Sequence, residues 1–375
     1  MHLGIAQDAI HNHGTLRMHD NVQVGFHENF VNDGNFENNA GLAGFYGYEK
    51  SLTISGNSIP TFHDTEIAVD RGVFLYNSIN IVNNNNWITG NLVTPKSKKD
   101  IYANFLSDAF YIGESDFSFV DGYAAMTDKD NFVFPVGDDE RLRTLSMTST
   151  LVNPFAKCAY FFESPNTPSN FSGSFNTDKK ESDFLSISRK EYWSIEGEVP
   201  ATVTLTWDEN SNLENLVTYI EDIKIVGWEK EKKMWVNLGN THVEGEINEG
   251  FATSDTFIPS EYEIITFGGN DNRLNEFVTL ELDNYFVSPN GDGKNDYLVL
   301  DGIENSPNNE IQIFDRYGKM VYSKLYYKNE FNGISNRGAV INRSSGLPSG
   351  VYFYIITFLD IRQRHQGYLY LTSSD

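Results

Sequence analysis

A glycine followed two residues later by an apolar side chain recurs along the first third of this chain. Asn12-x-Gly14-x-Leu16 returns as Asn32-x-Gly34-x-Phe36, and Gly72-x-Phe74 and Gly90-x-Leu92 repeat its second half. Successive glycines are 20, 38 and 18 residues apart, so the period is near 19 with one coil skipped. A supersecondary unit that short cannot bury its own apolar face, so copies of it must stack on one another. The pattern predicts a β-solenoid over residues 1–147, in which each coil adds short strands to those of its neighbours. An irregular β-sandwich with coincidental glycine spacing is the competing arrangement. Phe74-x-Tyr76 and Ile79-x-Ile81 alternate at strand spacing, and Asn83-Asn84-Asn85-Asn86 suits a turn or a side-chain ladder. In Phe132-Val133-Phe134-Pro135-Val136-Gly137-Asp138 the proline interrupts a ladder, so it belongs at a strand end or a sheet edge.

Helical signals are nearly absent downstream as well. Residues 148–270 carry runs such as Ala201–Trp207, Ile223–Trp228 and Tyr262–Phe267, rich in β-branched and aromatic residues and separated by polar turns. They predict a second β domain, a sandwich, with room for one short helix around Asn212–Tyr219. Trp193, Trp207, Trp228 and Trp235 fall at strand positions, where core packing is expected before a sugar-stacking platform. Gly268-Gly269-Asn270-Asp271-Asn272 reads as a linker.

Charge and cysteine content narrow the function classes. With 28 Lys and Arg against 52 Asp and Glu, the formal net charge is −24. That balance argues against nucleic-acid binding, which needs clustered Lys and Arg, and against unaided adsorption to anionic lipid. A single cysteine, Cys158, rules out an intrachain disulfide, and its apolar neighbours mark it as a small buried hydrophobe. No run is long enough for a transmembrane helix. Leu3-Gly4-Ile5-Ala6-Gln7 resembles the last residues of a secretory signal without its basic region and full apolar core, which suggests that the signal lies upstream.

Residues 275–375 form a third β unit. Ile311–Phe314 leads through the turn Asp315-Arg316-Tyr317-Gly318 into Lys319–Tyr322. Leu347-Pro348-Ser349-Gly350 then introduces a strand through Phe358, and Gly367–Leu371 supplies the last one after a turn at Asp360–Arg364. About seven strands in this length imply a small antiparallel, immunoglobulin-like sandwich. Between Tyr285 and Gly302 two apolar runs flank a loop built of Asn, Asp, Gly and Pro, whose glycines permit positive φ and whose side chains bond back to the backbone.

The order Ser288-Pro-Asn-Gly-Asp-Gly-x-Asn-Asp296, Ile311-x-Ile-Phe-Asp-Arg-Tyr-Gly318, Leu347-Pro-Ser-Gly-Val-Tyr-Phe-Tyr354 and Gly367-Tyr-Leu-Tyr-Leu371 resembles the gliding-motility-associated C-terminal domain. That domain is the type B sorting signal of the type IX secretion system of Bacteroidetes. The residues that carry the likeness are Pro289, Asn290, Gly291, Asp292, Gly293, Asn295 and Asp296 in the first block. Phe314, Arg316 and Gly318 follow, then Gly333, then Leu347, Pro348, Gly350 and Tyr352, and finally Gly367 and Tyr368. Phe331-Asn332-Gly333 stands where the family often has Trp-Asp-Gly, and Thr372-Ser373-Ser374-Asp375 ends the chain where a basic end is common. The resemblance implies export through the periplasm, the outer-membrane translocon as partner, and release or attachment at the cell surface.

Candidate chemistry is sparse. Asn290 to Asp296 partly matches a calcium loop, but an EF-hand register puts Val299 where a bidentate Glu belongs. Calcium on Asp292 and Asp296 is therefore weighed against an Asx-bonded turn, and no other cofactor is indicated. His11 and His13 share a strand side, with His19 and His27 near in sequence, which could seed a zinc site; neither a fixed ligand spacing nor a thiolate accompanies them, so the expectation is solvated histidines. Asp138-Asp139-Glu140 lacks an opposing carboxylate for glycoside hydrolysis, and nucleophile elbow, phosphate loop and metalloprotease helix are missing. The expectation is an all-β, secreted or surface-attached, non-catalytic protein, adhesive or structural, with a glycan or surface matrix as ligand. Its alternatives are a carbohydrate-binding or polysaccharide-processing accessory, and an enzyme on the solenoid.

Overall fold

The computed structural model describes residues 8–37, 40–138, 140–182, 185–217, 219–270, 285–300, 303, 306–337, 346–359 and 363–372. Nearly all regular structure among them is β, with four single-turn 3-10 segments. Two compact units emerge, one of Met1–Glu181 with Ile187–Gly269, the other formed principally by Asn270–Asp375.

The first unit begins as the expected solenoid. One sheet stacks Ala9–Asn12, Asn29–Asn32, Leu52–Ser55, Val73–Leu75, Leu92–Val93, Val120–Asp121 and Val136–Asp138 in parallel, and the antiparallel strand Arg141–Leu142 ends it. A second sheet runs Gln23–Phe26, Leu42–Gly47, Thr61–Val69, Ile79–Thr89, Ala103–Phe105 and Ala124–Met126, again parallel. Ala9 pairs with Asn29 and Val73 with Leu92, steps of 20 and 19 residues, whereas Leu92 pairs with Val120, a step of 28. The period thus holds in some coils and is stretched by loops in others.

The recurring glycines sit where one coil lies directly on the next. A Cβ on Gly34 would come within 2.1 Å of the Gly14 carbonyl oxygen. Gly90 has φ +86°, and a Cβ there would meet the Val69 oxygen at 1.8 Å, so only glycine fits both the dihedral and the gap. Between the sheets, Phe26, Phe30, Phe36, Phe45 and Phe62 are buried in a ladder, with Phe26 and Phe45 stacked at 5.0 Å. Each such ring, removed from water, contributes about 1.5–3 kcal/mol. The four asparagines lie inside the Ile79–Thr89 strand, not in a turn. Asn83 donates to Asp64 and Asn86 to Glu66, while Asn85 accepts from Thr65. Pro135 separates Lys129–Phe134 from Val136–Asp138, at a strand end as expected.

At Ala124–Met126 the second sheet changes direction. That strand pairs antiparallel with Ala156–Phe161, and the sheet continues through Tyr192–Gly197, Tyr262–Asn270, Lys224–Glu229 and Met234–Asn237. A five-stranded sheet, Lys129–Phe134, Leu145–Asn153, Ala201–Trp207, Glu249–Thr253 and His242–Glu246, packs with it. One continuous core extends from Met18 to Phe267. The boundary expected near residue 147 falls inside Leu145–Asn153, whose sheet partners come from both sides of it. Where a short helix is expected around Asn212–Tyr219, the chain makes 3-10 turns at Leu213–Asn215 and Ile220–Asp222 instead. Asn212 is held at φ +50°, which ends the preceding turn at Glu209–Ser211 and prevents an α-helix from running through. Gly268–Asn270 complete a strand instead of starting the linker, and Asp271 and Asn272 lie outside the described residues.

The second unit holds one five-stranded sheet, ordered Tyr285–Val287, Gln363–Leu371, Gly350–Phe358, Asn309–Phe314 and Met320–Leu325. The first pairing is parallel and the rest antiparallel. Seven strands are expected; among the described residues the layer facing this sheet is irregular chain. Leu298, Leu300, Ile303, Tyr327 and Phe331 form it, all buried. Its backbone is satisfied without a ladder: Leu298 N donates to Phe331 O at 2.8 Å, and the Tyr327 hydroxyl donates to Leu298 O at 2.6 Å. Gln363 and Arg364, expected in a turn, belong to the last strand.

Candidate functional site

The four C-terminal sequence blocks converge in the second unit. Val287, fully buried, brings the chain into the Ser288–Asp296 loop. Ser288 N bonds Asn295 O at 2.7 Å, and Gly291, Gly293 and Asn295 take φ of 79°, 81° and 55°. The Asp296 carboxylate accepts from Gly291 N at 2.7 Å and from Gly293 N at 2.8 Å, one with each oxygen. Asp292 accepts from Lys294 N and from Asn290 Nδ2. Both carboxylates expected as calcium ligands therefore serve as acceptors inside the loop, and among the described residues neither belongs to a group of three or more possible metal-ligating side chains.

Gly333 (φ 79°) joins three blocks. A Cβ there would lie 3.0 Å from Leu371 and 3.5 Å from Pro289, and its carbonyl accepts from Leu347 N at 2.8 Å. Phe331 is fully buried, packed edge-on against Tyr322. Tyr352 donates its hydroxyl to Pro348 O at 2.9 Å. Gly367 is vacant for Tyr354, whose hydroxyl would stand 2.6 Å from a Cβ. In the hairpin turn, Asp315 Oδ1 accepts from Tyr317 N and Lys319 N, and Gly318 takes φ 79°. The Arg316 guanidinium lies over the Tyr317 ring and donates to its hydroxyl at 2.6 Å.

The second and third blocks face each other across an open cavity of about 510 Å³. Among the described residues, three cations, Arg316, Lys319 and Arg337, line it against the single carboxylate Asp315, whose Oδ1 is already engaged. The cavity is thus locally basic on a strongly acidic chain, and suits an anionic group.

The outer face of the sheet is aromatic. Val351 pairs with Tyr370, Phe353 with Tyr368 and Phe286 with Tyr370. All five side chains are between 42% and 49% exposed, and the Phe286 and Tyr370 rings are stacked within 8° of parallel. Of these only Tyr368 is singled out by the motif. The signal for Val351 and Phe353 is that Val351 to Ile356 is apolar at every position rather than at alternate ones, which places apolar side chains on both faces of the strand.

Elsewhere the expected candidates divide. Trp193, Trp207, Trp228 and Trp235 are all at least 93% buried, so they are core and offer no platform. Cys158 is fully buried beside the junction of the solenoid and sandwich strands, and burial pushes its thiol well above the ordinary range. Asp138 is bound by Lys96 at 2.6 Å and by Phe162 N, Glu140 occupies a turn at φ 58°, and Asp139 lies outside the described residues. His27 stacks toward Tyr46 at 5.5 Å, while His11 and His13 come together with Asp33. The His11 hydrogen bond and the Asn57 amide hold the Asp33 carboxyl below the usual range. Residues 1–7, with the signal-like Leu3–Gln7, and residues 373–375 at the chain end are outside the described residues. No described helix is long and apolar enough to cross a membrane.

No curated protein and no solved structure matches the chain. Residues 280–371 match the family model of the CHU_C type IX secretion signal domain. The loop, hairpin, cavity and aromatic sheet described above all lie within that match, and the chain carries a type IX secretion signal at its C-terminus.

Proposed function

We propose that residues 1–270 are a non-catalytic, adhesive or structural passenger which the C-terminal signal delivers to the cell surface or the surrounding medium. The observation that carries this reading is the match of residues 280–371 to the secretion signal. A stacked β passenger supports it, because a solenoid offers a long rigid surface whose stability grows with each coil. The engagement of Asp138 in structural contacts, together with the buried tryptophans, favours a role without catalysis. Within the signal, the aromatic face around Phe353 and Tyr368 and the cationic cavity beside Arg316 are the surfaces the outer-membrane translocon would read. Calcium on Asp292 and Asp296 would compete with the bonds these carboxylates accept inside their own loop, and calorimetric titration with calcium tests it, with no heat leaving the Asx-bonded turn.

The decisive experiment follows the full chain, a form lacking residues 275–375, and Phe353→Ser/Tyr368→Ser through cell fractionation. The full chain should reach the surface or medium, and the truncated form should accumulate in the periplasm. The double variant should fold and be retained. Normal delivery of the truncated form would defeat the proposal.

A carbohydrate-binding role is the second reading, and one observation favours it over the tryptophans. The Tyr46 ring lies over Gly44, where a Cβ would be 2.2 Å from its hydroxyl, and donates to Glu66, which also accepts from Asn86. A flat ring beside a polar ladder suits a sugar face. Glycan-array binding that disappears in Tyr46→Ala would support this reading.

A further inference from the structure

We infer that His11, His13 and Asp33 form a binding site for a divalent transition-metal ion of the zinc class, clamping the first coil of the solenoid to the second. His11 ends the Ala9–Asn12 strand with Asn12, and His13 follows two residues on, which returns its side chain to the same face. The parallel register pairs His11 with Val31 and Asn12 with Asn32. The next step places Asp33 opposite His13, one coil away.

The three side chains bring one ligand atom each within 4.8 Å of the others, and the two imidazole rings lie 3.4 Å apart. A tetrahedral zinc centre with ligand bonds near 2.0–2.1 Å needs its ligand atoms about 3.3 Å from one another. Small side-chain rotations span that difference. His11 Nε2 and Asp33 Oδ2 are now 2.6 Å apart, sharing a hydrogen; the metal takes that hydrogen's place between them. Asp33 is also positioned from a third coil, because its Oδ1 accepts from Asn57 N at 2.9 Å and Asn57 Nδ2 at 2.7 Å. That outer contact orients the carboxylate through Oδ1 and keeps Oδ2 turned toward His11, where the ion would sit. Two imidazoles with one carboxylate favour zinc, nickel or copper over calcium or magnesium, which prefer an all-oxygen shell.

The position gives the ion a task. Ala9–Asn12 is the edge strand of its sheet among the described residues, and an open edge strand is where a sheet pairs wrongly. A metal bound only by the stacked coils raises the stability of that end by mass action.

The test titrates zinc chloride into the untagged full chain by calorimetry, and repeats the titration with His13→Ala, Asp33→Asn and a His19→Ala/His27→Ala control. Substituting cobalt(II) reports four-coordination through its visible spectrum. Hydrogen exchange is followed at the amides of residues 9–12 and 29–32. One zinc per chain is expected in the parent and the control, with slowed exchange in both strands. That site should be lost in both ligand variants while their far-ultraviolet spectra stay native. Absence of binding by the parent, or retention of the site in either ligand variant, overturns the inference.

Discussion

At the scale of single residues, the first unit depends on groups that tolerate little change. Arg143 and Glu191 form a buried ion pair at 2.9 Å, with Tyr160 donating to the same carboxylate at 2.6 Å and Ser211 accepting from the guanidinium. Burial acts to lower the Arg143 value, but Glu191 beside it more than compensates and holds the guanidinium charged. Glu191→Gln leaves that charge without its main partner in the core and should destabilise the unit by about 3–5 kcal/mol in urea unfolding. The double variant Arg143→Met/Glu191→Leu should recover much of this loss, and failure to recover would mean that the pair contributes more than it costs to bury. The glycines predict a contrast. Gly90→Ala meets backbone at 1.8 Å in a left-handed conformation, and should cost roughly 2–6 kcal/mol from strain and overpacking together. Gly14→Ala, with nothing within 4 Å of the added carbon, should fall within about 0.5 kcal/mol of the parent. Equal effects in thermal melts would contradict the coil contacts.

At the scale of elements, two carboxylates organise the Ser288–Asp296 loop, and Asp296 is the one that bridges two glycine amides. Asp296→Ala removes the acceptor of both the Gly291 and Gly293 amides. Amide exchange at those two residues should accelerate, while the Gly350–Phe358 and Gln363–Leu371 strands, paired along nine positions, keep their protection. Unchanged exchange by NMR would show that the loop holds those amides without the Asp296 carboxylate. The strands themselves follow a simple rule. Ala201–Trp207 alternates buried and half-buried side chains because one face meets the core, whereas Val351–Ile356 is apolar throughout and leaves Val351 and Phe353 on the outer face.

At the scale of the whole molecule, folding should respect cores rather than sequence style. The core running from Met18 to Phe267 predicts that a fragment of residues 1–147 exposes the Ala124–Met126 edge and associates, because Ala156–Phe161 no longer covers it. A fragment of residues 1–270 should remain monomeric with a cooperative transition. Sedimentation and melting of the two fragments check this, and a monomeric, cooperatively melting 1–147 fragment would contradict it.

The local rules were legible in the residues themselves. Glycine spacing announced stacked coils, turn chemistry located the Asp315–Gly318 hairpin, and four ordered blocks marked the secretion signal, since each depends on contacts within a few residues or one coil. Tertiary structure alone decided where strands from different regions share a sheet, that Leu298 and Phe331 cover the C-terminal sheet with no second ladder among the described residues, and that Asp33 arrives beside His11 and His13. Those outcomes rest on which distant surfaces meet, and the pairing of surfaces is settled by burial summed over the whole chain, not by any short stretch of it.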